Sequence, residues 1–197
     1  IMALSSPANS AIDICSRALI LIGAEPITSF EDDTTEALIC GNMYEDIARS
    51  NLVSTRWRFS SNQAVLARLS DAPTGRFDAA YQLPSDILFT HAVTVSDYPI
   101  EYNIYGSKIF CDAGSQDELV LDYTFRAEEV HWPSYFSVTV EYAMAIVLAT
   151  ALARDQRLAE LMQFQYNQLT AKARSIDSQQ QTTRKLTTSR FITQRRS

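Results

Sequence analysis

The sequence predicts an α+β fold: an antiparallel helical bundle from the N- and C-terminal helices, an inserted antiparallel β-rich domain, and an extended C-terminal tail. Three observations predict it. Apolar residues recur at three- and four-residue spacing towards both ends of the chain. Between Ile100 and Phe125 they alternate every second residue. Asp177 to Thr183 is polar and without periodicity, and residues 179–197 read QQQTTRKLTTSRFITQRRS. The expected organisation is a helical hairpin over residues 1–55, a β-rich domain over 56–130, closing helices over 131–178 and a basic arm over 179–197.

The first helix is expected over about Ala8 to Ile22, where Ala11, Ile12, Cys15, Ala18, Leu19 and Ile22 share a face, and Gly23 and Pro26 stop it. The second opens at Asp33, with Glu36 three residues later as in a capping box, and runs to about Ser54. The period then changes: Trp57 and Phe59 alternate with Arg56 and Arg58, and Gln63 to Leu69 is a short run that alternates in part. Leu83-Pro84-Ser85-Asp86 reads as a turn and Ile87 to Val95 as a strand. Ile100 to Phe125 reads as a three-stranded meander with its first turn at Gly106-Ser107 and a polar loop at Asp112 to Asp117. Pro133 then opens a long helix to about Ala153. Arg154-Asp155-Gln156 interrupts it, and Asp155 caps a second stretch that runs to about Ile176.

The 197 residues carry a net charge of −6, but the charge is divided. Residues 1–171 hold 10 Lys and Arg against 22 Asp and Glu, a balance of −12, and residues 172–197 hold 7 against 1, a balance of +6. An acidic body with a basic end points to an interaction arm. The three cysteines, Cys15, Cys40 and Cys111, are odd in number and widely spaced, which argues against a disulfide framework and against a zinc site. Ile1 precedes Met2, and no basic segment followed by an apolar core opens the chain, so no secretory signal is expected. The longest apolar run, Tyr135 to Ala153, contains Glu141 and five alanines and is read as a buried helix rather than a membrane span.

Catalytic signatures are missing. The sequence has no phosphate-binding loop, dinucleotide fingerprint, nucleophile elbow or HExxH helix, and His91 and His131 stand alone. Glu31-Asp32-Asp33 lacks the alternating acids and closing Glu of a calcium loop, and its place before a helix explains it. No catalytic residue, cofactor or metal is expected, and the protein is read as not an enzyme. A hydrolase built on scattered carboxylates is left with no particular pair to support it.

Five stretches resemble the tail tubular protein A, or head-to-tail adaptor, family of tailed bacteriophages. They are ALILIGAEPI at Ala18 to Ile27, the run from Leu52 to Phe59 ending Arg56-Trp57-Arg58-Phe59, YQLPSDIL at Tyr81 to Leu88, the Tyr102 to Tyr123 segment turning at Gly106-Ser107-Lys108-Ile109, and Pro133 to Asp155. Their order and spacing agree over residues 8–178. The resemblance implies a virion structural protein at the head–tail interface, assembled in the host cytoplasm. Such a subunit joins a ring of copies, usually twelve, between the portal protein and the tail nozzle or tube, and lines the DNA ejection channel. Genomic DNA would pass without specific contact, and no membrane would be involved.

The resemblance also implies a role for the tail, since family C-termini commonly reach into a portal groove. The residues expected to make that contact are Arg184, Lys185, Leu186, Arg190, Phe191, Ile192, Arg195 and Arg196, with the apolar three as anchors and the cations pairing with acids. Two other readings of the tail remain: a solvated end with no partner, and a nucleic-acid-associated or regulatory protein using the basic cluster. The strands from Ile100 to Phe125 and the loop Asp112 to Asp117 are expected to face neighbouring subunits or the nozzle.

Overall fold

A computed structural model describes residues 7–70 and 75–180. Helix α1 spans Ala11–Leu21, and the Ser10 hydroxyl caps it by accepting from the Asp13 N–H at 3.1 Å. It ends at Gly23, whose φ of +77° is the left-handed conformation that glycine adopts without a Cβ penalty. Helix α2 spans Thr35–Val53, and its cap is Thr34, which accepts from the Ala37 N–H at 3.2 Å. The capping expectation for Asp33 is corrected. Thr34 holds the extended backbone a cap requires, and Asp32 folds the preceding turn by accepting from the N–H groups of Thr28 and Ser29.

Helix α3 spans Ser134–Leu148 behind Pro133 and continues through a π turn at Ala149–Ala153. Arg154 then takes a left-handed conformation, φ +49°, and reverses the chain. Asp155 caps α4, Gln156–Gln179, by accepting from the N–H groups of Arg157 and Leu158. Helix α3 lies at the centre, packed by α1, α2 and α4. By length and composition Ser134–Ala153 could cross a membrane. Here Phe136, Val140, Met144, Ala145 and Leu148 on that segment join Ile14, Leu19, Leu52 and Trp57 in the helical core.

The strands are β1 (Ser61–Leu66), β2 (Ala79–Gln82), β3 (Ile87–Val95), β4 (Tyr98–Pro99), β5 (Tyr102–Tyr105), β6 (Lys108–Cys111) and β7 (Leu119–Phe125). They form two antiparallel sheets, β1-β7-β3-β4 and β2-β6-β5. The Gly106-Ser107 hairpin is present, with Gly106 at φ +60° and Tyr105 opposite Lys108. The meander is corrected at its third strand. Strand β7 does not return along β6 but crosses to the other sheet and lies between β1 and β3. Strand β6 takes β2 as its second neighbour. Alternation marks a strand and its buried face, whereas the neighbour is selected by packing over the whole chain. Leu66, Tyr81, Val93, Ile109, Leu119, Leu121 and Tyr123 fill the space between the sheets.

The expectation of a helical bundle carrying an inserted β domain is also corrected. The fold is mixed, with four helices and two antiparallel sheets of four and three strands. The physical reason lies where β7 ends. Phe125 packs against both cores, and Phe59 and Leu88 pack against the helical one, so the four-stranded sheet is rooted among the helices. The stretch from Arg56 to Phe59, read as alternating, is a turn with a short 3-10 segment at Arg58–Ser60.

Candidate functional site

All eight residues expected to contact a portal, Arg184, Lys185, Leu186, Arg190, Phe191, Ile192, Arg195 and Arg196, lie outside the described residues. The structure does show where their segment begins. Asp177, buried in the last turn of α4, accepts from the Arg58 backbone N–H at 3.1 Å and from the Tyr135 hydroxyl at 2.8 Å. Arg58 Nε returns a hydrogen bond to the Asp177 carbonyl at 3.1 Å. Burial, followed by the Asp177 contact, pushes the Tyr135 phenol well above its ordinary range. The end of α4 is therefore fastened to the start of α3 and to the turn that leads into β1.

The Arg56-Trp57-Arg58-Phe59 stretch builds this junction. Trp57 is buried, donates from Nε1 to the Asn51 carbonyl at 2.9 Å, and meets Phe136 edge-on at 5.2 Å between centroids. Phe59 meets Phe136 in a tilted contact, 4.8 Å between centroids. The two arginines point away from that core, Arg58 to Asp177 and Arg56 to Asp122 at 3.7 Å. Asn51 Oδ1 accepts from the Tyr166 hydroxyl at 3.0 Å and so ties α4 to α2 as well.

A second charged junction joins α2 to the segment between β7 and α3. Arg126 Nε and Nη2 contact Glu45 at 3.0 and 2.9 Å, and Nη2 contacts Glu129 at 2.6 Å. Tyr44 donates to the same Glu129 oxygen at 2.8 Å, and the Arg126 guanidinium sits 5.4 Å from the Trp132 ring centroid. The hydrogen bond from Arg126 holds the Glu45 carboxyl below its ordinary range. Burial works to raise Glu129, but its bonds from Arg126 and Tyr44 leave it lowered. Burial pushes the Tyr44 phenol up. These donors and acceptors are turned on one another, which suits a joint between elements better than a binding site. Nothing in the sequence marked it, because Arg126 and Glu45 are 81 residues apart.

The remaining candidates resolve into local structure. Glu141 is buried in α3 and lies 3.6 Å from Arg17 of α1; burial raises its carboxyl and Arg17 opposes the shift. His91 bonds Thr124 at 2.8 Å across the sheet, and burial, then Arg56, lowers its pKa. Cys15, Cys40 and Cys111 are free and buried. Among the described residues no group of three or more His, Cys, Asp or Glu is placed to hold a metal ion. The loop Asp112 to Asp117 is folded on itself, with the Gly114 N–H donating to Asp117 at 2.8 Å and Arg68 donating to the carbonyls of Ala113 and Gly114.

What stays open to partners is surface. Leu161 and Phe164, one turn apart on α4, are more than half exposed, as are Tyr98, Tyr105 and Val65 on the strands. A groove of about 310 Å³ beside the start of α2 is lined by Phe30, Asp33, Thr34 and Leu38. A wider one of about 550 Å³ lies between Arg76, Phe77, Glu101, Tyr102 and Asp112. No protein-family model matches the chain, and no curated protein matches it.

Proposed function

We propose that the protein is a head-to-tail adaptor of a tailed bacteriophage: a virion structural subunit that joins a ring of copies between the portal protein and the tail nozzle or tube. The observation that carries this reading is the set of five stretches, in family order, over residues 8–178. Their positions in the fold support it. Gly23 ends α1, Trp57 seats the junction, Pro84 precedes β3, Gly106-Ser107 turns β5 into β6, and Arg154-Asp155 reverses α3 into α4. These are joints of the architecture, where a change of residue type alters the path of the chain. A shared set of joints favours a shared architecture over chance similarity of composition.

The chemistry is compatible with the role. A ring subunit needs two unlike lateral surfaces, because a head-to-tail contact closes only by rotation. An acidic body repels the phosphate backbone, so a genome in the channel would slide rather than adhere. The basic arm supplies cations and the apolar anchors Leu186, Phe191 and Ile192 for the portal. The reading assigns no catalytic residue and no cofactor.

Negative-stain imaging of the protein, alone and mixed with its portal, tests the proposal. Rings or capped portals are expected. A second reading, a nucleic-acid-associated protein acting through the basic cluster, is favoured by the +6 balance of residues 172–197. A protein that never joins a portal yet shifts DNA on a gel, with affinity falling steeply as salt rises, establishes that second reading and overturns the first.

A further inference from the structure

Helices α1 and α2 pack against each other as well as against α3. Cys15 of α1 has Ala11 and Ala18 one turn to either side, and Cys40 of α2 has Ala37 one turn before it. Cys15, Ala18, Ala37 and Cys40 are all fully buried in the helical core. Side chains this small let two helices approach closely. The two thiols meet inside that core, hydrogen-bonded side chain to side chain. Residues 16–39 separate them in sequence, so the contact is made by the fold and not by a local motif. The third cysteine supplies a contrast. Cys111 lies on β6 in the core between the sheets, with no other cysteine in that core, and burial pushes its thiol up to about 11.

The shared hydrogen bond gives the pair unequal roles. Donation from the Cys15 thiol lowers Cys40 from its ordinary value, and the same bond, with burial, raises Cys15. The thiolate is the reacting form, so Cys40 attacks and Cys15 stands beside it to resolve the product. Hydrogen peroxide, small and uncharged, is the oxidant that suits a buried pair. The Cys40 thiolate attacks one peroxide oxygen and an S–O bond forms. The O–O bond breaks, and the departing hydroxide takes up the thiol's proton as water. Cys40 is then a sulfenic acid. The Cys15 sulfur attacks the Cys40 sulfur, an S–S bond forms, and the S–O bond breaks. The hydroxyl leaves with the Cys15 proton as a second water. The two thiols lose two electrons, and one peroxide is reduced to two waters.

We propose that Cys15 and Cys40 form a peroxide-driven disulfide that staples α1 to α2 within the folded protein. This does not rest on the adaptor reading. The staple closes a loop that contains Pro26 and the turn in which Asp32 accepts from Thr28. Burial of both sulfurs then shields the bond from reductants.

Peptide mapping tests it. The reduced full chain is treated with hydrogen peroxide under native conditions, alkylated in denaturant and digested with trypsin. Cleavage after Arg17 and Arg49 puts Cys15 in residues 1–17 and Cys40 in residues 18–49. Mass spectrometry should find these two peptides joined by a disulfide, equally at low and high protein concentration, and free thiols should fall from three to one. The melting midpoint should rise by about 5–10 °C and return on reduction. Cys111→Ser should change neither result. Cys15→Ser should remove the link and leave Cys40 as a sulfenic acid that dimedone traps; if that variant fails to fold, the parent digest decides alone. Three thiols that stay open to alkylation overturn the proposal. So does a link that forms only in urea, one that includes Cys111 or joins two chains, or a midpoint that does not rise. Ring assembly is read separately by imaging, so either proposal can fail alone.

Discussion

Two side chains, Arg126 and Asp177, hold elements distant in sequence. Replacing Arg126 by Met keeps the stem against Trp132 but leaves the partly buried Glu129 without its cation. Breaking a buried pair from one side costs about 3–5 kcal/mol, and the half-exposed Glu45 lowers that to about 2–3 kcal/mol here. Urea unfolding of R126M measures it. Acidification acts on the same cluster. Glu45 and Glu129 have folded pKa values below their unfolded ones, so their contribution is present above the unfolded carboxylate pKa and is lost as pH falls through the folded values. Glu141 has the opposite sign. Its raised folded pKa means that ionisation opposes folding, so the stability of Glu141→Gln relative to the parent should rise from pH 4 to pH 7. A flat difference over that range would show that Arg17 cancels the burial.

At the scale of elements, the reversal between α3 and α4 is the clearest case of local chemistry. Asp155→Ala removes two N-cap hydrogen bonds and should cost about 1 kcal/mol in a thermal or urea melt. Arg154→Gly should stabilise by up to about 1 kcal/mol, since glycine takes φ +49° without a Cβ clash. Both signals were legible in the sequence, as were β3 and the Gly106-Ser107 hairpin, because each depends on residues within one turn of each other. The cap of α2 was missed by one position, since Asp32, Asp33 and Thr34 all qualify and only the folded turn assigns Asp32 elsewhere. The path of β7 was missed for a different reason. Its alternation records which face is buried, but its neighbours β1 and β3 are chosen by the packing of two sheets.

The whole molecule combines two cores that share Phe125. One cooperative unfolding transition is expected, seen as coincident loss of far- and near-ultraviolet circular dichroism; two separated transitions would mean that the helices and sheets unfold independently. Removing residues 181–197 should shift the midpoint by less than about 3 °C, because the joints that hold α4 end at Asp177. Removing three more turns of α4 should be far more damaging. The candidate site was legible in part. The basic composition of the arm was plain from sequence, but its point of departure was not, since Asp177 and Arg58 are 119 residues apart.

That separation also orders events during synthesis. A ribosome releases the Trp57 junction long before it releases Asp177, so Arg58 and Tyr135 wait, without their carboxylate, for the last helix. The Trp57 junction cannot reach its final arrangement until the end of α4 has emerged. A nascent chain stalled before residue 170 should be cut readily by protease between Ser54 and Leu66, and one released at full length should resist. A product that stops before Asp177 lacks the carboxylate that joins Arg58 and Tyr135.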